Sequence, residues 1–137
     1  MTDAKNSWLG HAQSYGGSYT NPVVLGQVMT ENDPAWSVFW NQGSTRQSPP
    51  SATALRTGKN VCEDSDVTRA AETVGFIVIE AAHGAIGGVE FEAGVGPGEI
   101  RGATQKAPYA YTFGTSFTSA PGVAVTTMAG VNGNNGA

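Results

Sequence analysis

Apolar and polar residues alternate with a period of two in the clearest stretches of this chain, and that period belongs to β-strands. Between residues 35 and 41, Trp36, Val38 and Trp40 alternate with Ser37, Phe39 and Asn41. Between 86 and 93, Val89 and Phe91 alternate with Glu90 and Glu92, which predicts one buried and one wet face. Residues 22–29 run Pro-Val-Val-Leu-Gly-Gln-Val-Met, with proline at a strand start or edge, where a missing N–H is tolerated. Residues 73–81 are apolar on both faces, which predicts a strand lying centrally in its sheet. Further strands are expected at 55–63, broken at Gly58, and at 109–117 and 123–128. The polar run 64–72 has room for one helical turn. Residues 1–18 read as a loose arm, with Trp8 and Tyr15 as its docking points.

Composition reinforces the β reading. Charged residues make up 13% of the 137 residues, about half the usual share, and 19 are glycine. That suits short strands joined by tight turns better than helices, whose surfaces need Lys and Glu. The net charge is −4. The basic residues are scattered, so no footprint for a phosphate backbone exists and nucleic acid is not expected as a partner. Residues 1–17 lack an apolar run, so no signal peptide is read in the chain as given, and no membrane span is expected. Cys62 is the one cysteine, so neither an intrachain disulfide nor a cysteine-based zinc site can be built. In a strand-like stretch it reads as a small buried hydrophobe.

The chain also echoes itself. Tyr19-Thr-Asn-Pro22-Val-Val leads to Met29, and Phe117-Thr-Ser-Ala-Pro121-Gly-Val-Ala-Val leads to Met128. Trp36 follows Met29 by seven residues, whereas the second copy reaches Ala137 before any such Trp strand. The expected organisation is therefore an arm over 1–18, a β-sandwich unit over 19–106, and the start of a second, incomplete unit over 107–137.

The opening strand at Tyr19, Pro22, Val23 and Val24, followed by Glu72-Thr-Val-Gly-Phe-Ile-Val-Ile-Glu80, resembles H-type-lectin-like modules of bacterial and marine surface proteins. The stretch Gly58-Lys-Asn-Val-Cys-Glu-Asp64, with Arg69-Ala-Ala-Glu72, resembles a subgroup built from tandem units. The resemblance implies an antiparallel β-sandwich, sugar binding, oligomers, and an extracellular or cell-surface location. Arg69 stands where the family often has His, so the resemblance carries over the fold rather than that sugar contact.

Candidate binding residues fall in two groups. Asp64, Asp66 and Arg69 supply hydrogen-bonding groups for sugar hydroxyls. Trp36 and Trp40 supply rings that stack on a sugar's apolar face, or else form sandwich core together with Val38. Asp64-Ser-Asp66 begins like a calcium loop, but Arg69 stands where the EF-hand needs Gly and Gly75 where it needs Glu, so no metal is expected. Glu90 and Glu92, two apart on a strand and about 7 Å from each other, have a spacing compatible with glycoside cleavage, as any wet strand face has. His83 reads as an exposed turn residue. With neither catalytic apparatus nor cofactor motif, the expected function is a non-catalytic carbohydrate-recognition or adhesion module. The alternative is a self-assembling structural β-protein of a layer, shell or filament. The expected partners are accordingly a glycan, further copies of the chain, or further β-units.

Overall fold

The structure is a computed structural model that describes residues 10–62, 64–98 and 110–131. Trp8 and Glu63 lie outside the described residues, as does Tyr109 at the start of an expected strand. Among the described residues the chain is all-β, with no helix. Its strands are β1 (His11–Gln13), β2 (Pro22–Val28), β3 (Val38–Gln42), β4 (Leu55–Asn60), β5 (Val74–Glu80), β6 (Ala82–Ile86), β7 (Val89–Ala93) and β8 (Met128–Ala129). They form a four-stranded sheet in the order β1-β4-β3-β8, a β2-β5 ribbon and a β6-β7 hairpin. Every pairing is antiparallel except β3 with β8.

The core lies between the ribbon and the four-stranded sheet, a sandwich-like arrangement. Val24 of β2, Phe39 of β3 and Leu55 of β4 are buried together, and Val74, Phe76 and Val78 of β5 pack on them with Tyr15. Alternation sets this inner face, because Phe39 and Asn41 point one way from β3 while Val38, Trp40 and Gln42 point the other. Gly26 faces Phe39 across the layers, and a Cβ there would sit 2.4 Å from Phe39 Cζ. Asn41 is wholly buried and donates from Nδ2 to the Val24 carbonyl at 3.2 Å, tying one layer to the other.

Several expectations change. Trp36 and Trp40 do not share a strand face: β3 starts at Val38, so Trp36 lies in the irregular chain before it and is 74% exposed, whereas Trp40 is 0% exposed. β3 is covered on both sides from Phe39 onward, which a two-residue alternation cannot reveal. Gly58 does not break a strand; it sits inside β4 opposite Trp40 in register. β5 is not central. Among the described residues it pairs only with β2, and Ile77 is 60% exposed, because apolar side chains on both faces do not by themselves recruit a second neighbour. The run 64–72 holds no helical turn. Residues 110–117 form no strand, and of 123–128 only Met128 enters one. Residues 11–13, expected in a loose arm, form edge strand β1, a segment too short for alternation to register. His83 lies in β6, exposed but not in a turn. The turn that follows is Gly87-Gly88, both with positive φ (59° and 83°), the two-residue connection that matches a hairpin's twist.

Candidate functional site

Two segments that precede strands, 29–36 ahead of β3 and 64–73 ahead of β5, are laced together at one end of the molecule. Carboxylates do the lacing. Asp33 accepts from the backbone N–H of Ala70 at 2.7 Å and of Ala35 at 2.9 Å. Glu72 accepts from the Thr30 hydroxyl and from the N–H groups of Asn32 and Asp33 at 3.1 and 2.8 Å. Asn32 Nδ2 donates to the Ala71 carbonyl at 2.8 Å. Beneath them Lys59, 1% exposed on β4, donates from Nζ to the Ala70 carbonyl at 2.6 Å. Hydrogen bonds from the backbone hold the Asp33 carboxyl below its ordinary pKa, and the Thr30 hydroxyl does the same for Glu72.

On this frame the structure does bring Asp64, Asp66 and Arg69 together. Asp64 Oδ1 accepts from the Asp66 N–H and Asp66 Oδ1 from the Thr68 N–H, both at 2.9 Å, two successive side-chain-closed turns. The Arg69 guanidinium then folds back over both acids, with Nη2 2.7 Å from Asp64 Oδ2 and Nη1 3.4 Å from Asp66 Oδ2. Its side chain is fully covered, while those of Asp64 and Asp66 remain 48% and 67% exposed. The Asp66 N–H bond is the main cause of a lowered Asp64 pKa, and Arg69 adds to it.

These acids spend much of their accepting capacity on the loop itself, so the cluster is first a way to hold an irregular segment in shape. The outer lone pairs of Asp64 and Asp66 remain for a ligand. Trp36 is 74% exposed and follows Ala35, whose N–H shares the Asp33 carboxylate with that of Ala70. Trp40, on the strand and sealed, cannot present its ring to a ligand. No group of three or more His, Cys, Asp or Glu side chains that could hold a metal ion occurs among the described residues.

Sequence reasoning missed the roles of Asp33 and Lys59. The Glu-Asn-Asp-Pro turn signalled a loop, and Asp33 accepting from Ala35 is the local bond such turns favour. A lysine buried against a carbonyl eleven residues away carries no local signal. Glu90 and Glu92, entertained as a cleavage pair, are instead engaged by the segment after residue 110. Gly114, Thr115 and Tyr111 donate to Glu92, and Thr118 donates to Glu90. Cys62 is buried, as expected, and takes a positive φ of 57° with its N–H on Asn60 Oδ1 at 2.7 Å.

The chain matches no family model, no curated protein and no solved structure. Among the described residues no helix is long and apolar enough to cross a membrane, a statement that leaves strand-built spans untouched.

Proposed function

We propose that this chain is a non-catalytic β-module that associates with further copies of itself, as a subunit of a larger structural assembly. The observation that carries the reading is Ile77, 60% exposed in the most apolar strand of a two-stranded ribbon. In cross-strand register it faces Leu25, and Met29 lies over the neighbouring Gly75, so these three apolar side chains share the outer side of the ribbon with the exposed amide of Gln27. The β6-β7 hairpin adds Ile86 and Val89, 73% and 70% exposed at its tip. Exposed apolar side chains beside strand edges without a ladder partner are what a sheet-to-sheet contact uses. In this reading the two packed layers are an antiparallel β-sandwich, and the echo at 117–128 is the opening of a second such unit.

The test is a sizing measurement across protein concentration, run on the parent and on Ile77→Asp. A concentration-dependent rise in mass that Ile77→Asp removes supports association. A parent that stays monomeric at the highest soluble concentration overturns it.

Glycan recognition is the second reading, favoured by the exposed Trp36 on the segment that Asp33 ties to the loop of the Arg69-clamped acids. It keeps the lectin-like expectation but moves the aromatic contact from the Trp36 and Trp40 pair to Trp36 alone. On a glycan array, Trp36→Ala is expected to abolish any signal that Trp40→Phe leaves unchanged. Equal signals from the parent and Trp36→Ala would remove this reading.

A further inference from the structure

Residues 110–118 lie along the polar face of the β6-β7 hairpin without joining it as a strand. Alternation puts His83 of β6 and Glu90 and Glu92 of β7 on that face, with His83 opposite Glu92 in register. Glu92 accepts from Gly114 N–H at 3.0 Å, from Thr115 N–H at 3.2 Å and from the Tyr111 hydroxyl at 3.2 Å. Glu90 accepts from Thr118 twice, from its N–H at 2.8 Å and its hydroxyl at 2.6 Å. The segment's rings contribute edge-on contacts, Phe117 with His83 at 5.4 Å and with Phe113 at 5.0 Å, but Phe113 and Tyr111 stay 47% and 43% exposed. So two carboxylates accept five hydrogen bonds from this part of the chain, and little apolar burial backs them up.

We propose that Glu90 and Glu92 form an acid-released latch, which holds residues 110–118 against the hairpin while both are ionised and frees them on protonation. An ionised carboxylate only accepts, and every bond here comes from a donor. At Glu92 both oxygens are engaged, Oε1 by Tyr111 and Gly114 and Oε2 by Thr115, so a proton on either one faces a donor. At Glu90 both bonds fall on Oε2, and a proton on Oε1 leaves them as weaker bonds to a neutral carbonyl. The titratable groups that face the pair are His83 from β6 and Tyr111 from the segment itself. The Thr118 bonds lower the Glu90 pKa and the Gly114 bond is the main cause of lowering at Glu92, with His83 adding to both. The sign follows from linkage: folded pKa values below the unfolded ones give a hold that is complete above the ordinary glutamate value. That hold disappears as pH falls through the lower, folded value.

The experiment is an amide NMR titration of the full chain from about pH 7 to about pH 2.5, a range that spans ordinary carboxylate titration. Backbone order is read by the heteronuclear NOE. Gly114, Thr115 and Thr118 amides are expected to shift together with a midpoint below the ordinary value of 4.5. Below it the NOE of 110–118 falls to that of flexible chain, while Val24 and Phe39 keep their neutral-pH shifts. Glu90→Gln with Glu92→Gln, which mimics the protonated acids, should free the segment already at neutral pH. That variant also decides the matter if the parent unfolds in acid. A segment as ordered in the double variant as in the parent overturns the proposal, as does one that stays ordered below the carboxylate titration.

Discussion

A methyl group at position 26 has nowhere to go. It would meet Phe39 Cζ at 2.4 Å, Phe39 Cε1 at 2.6 Å and the Gly75 carbonyl oxygen at 2.8 Å. Gly26 is needed here for space, where the inner faces of ribbon and sheet touch. Gly26→Ala is expected to cost about 1–3 kcal/mol by overpacking. Phe39→Leu alone costs about 1 kcal/mol in lost contacts, and the two together should cost less than their sum, read as midpoints of urea unfolding. Additive costs would mean that ring and methyl never compete. Residue by residue, the sequence was legible where a side chain's role is local. Cys62 as a buried thiol and the Asp64–Arg69 association were readable from type and spacing. Gly26 against Phe39, and Lys59 beneath Ala70, depend on partners that only the folded layers bring close.

At the scale of elements, the strongest strand signal gave the right strand and the wrong place for it. An apolar run of β-branched residues specifies extended backbone well, since Val74, Ile77, Val78 and Ile79 all suit a pleated surface. What it cannot specify is how many neighbours the strand has. A buried Ile77 would make Ile77→Asp a carboxylate locked in apolar surroundings, costing several kcal/mol. With the side chain 60% exposed, the substitution is expected to leave the protein soluble and folded, within about 1 kcal/mol of the parent. Chemical denaturation checks this, and failure to obtain folded protein would mean that Ile77 is covered. The hairpin shows the opposite case. Gly87-Gly88 between the apolar Ile86 and Val89 is a two-residue turn signal carried by the sequence itself, and the structure places the hairpin turn there. The strands expected at 109–117 and 123–128 show what alternation omits. Tyr111, Phe113, Val123 and Val125 are spaced like strand residues, yet no edge in the described structure takes them in, and all four remain exposed.

Across the whole molecule, carboxylates do much of the work of holding irregular chain in place. Asp33, Asp64, Glu72, Glu90 and Glu92 all accept hydrogen bonds that lower their pKa values. Each therefore contributes stability that is present above the ordinary values, 3.8 for Asp and 4.5 for Glu, and is lost as pH falls through the depressed ones. Urea midpoints are expected to be flat through neutral pH and to drop steeply below about pH 4. The β2-β5 strand signals should outlast those of residues 29–36 and 64–73. Uniform loss of all signals at one pH would mean that the lacing and the core form a single cooperative unit. The all-β class of the molecule was legible from low charge, abundant glycine and period-two alternation. The pairing order was not, because it depends on contacts between distant parts of the chain.

The parallel pairing of β8 with β3 has a consequence for the order of events during synthesis. Met128 sits beside Trp40, so the ribosome must add 128 − 40 = 88 residues after the indole before its strand meets that neighbour. At about 5–20 residues per second the wait is roughly 4 to 18 s. β4 arrives early and can cover one edge of β3 almost at once. The other edge stays open throughout the interval, with backbone donors and acceptors available to any extended segment nearby, including those on neighbouring nascent chains of a polysome. Crowding of translating ribosomes on one message would then favour exchanged pairings at this edge, whereas sparse translation would leave each chain time to supply its own β8.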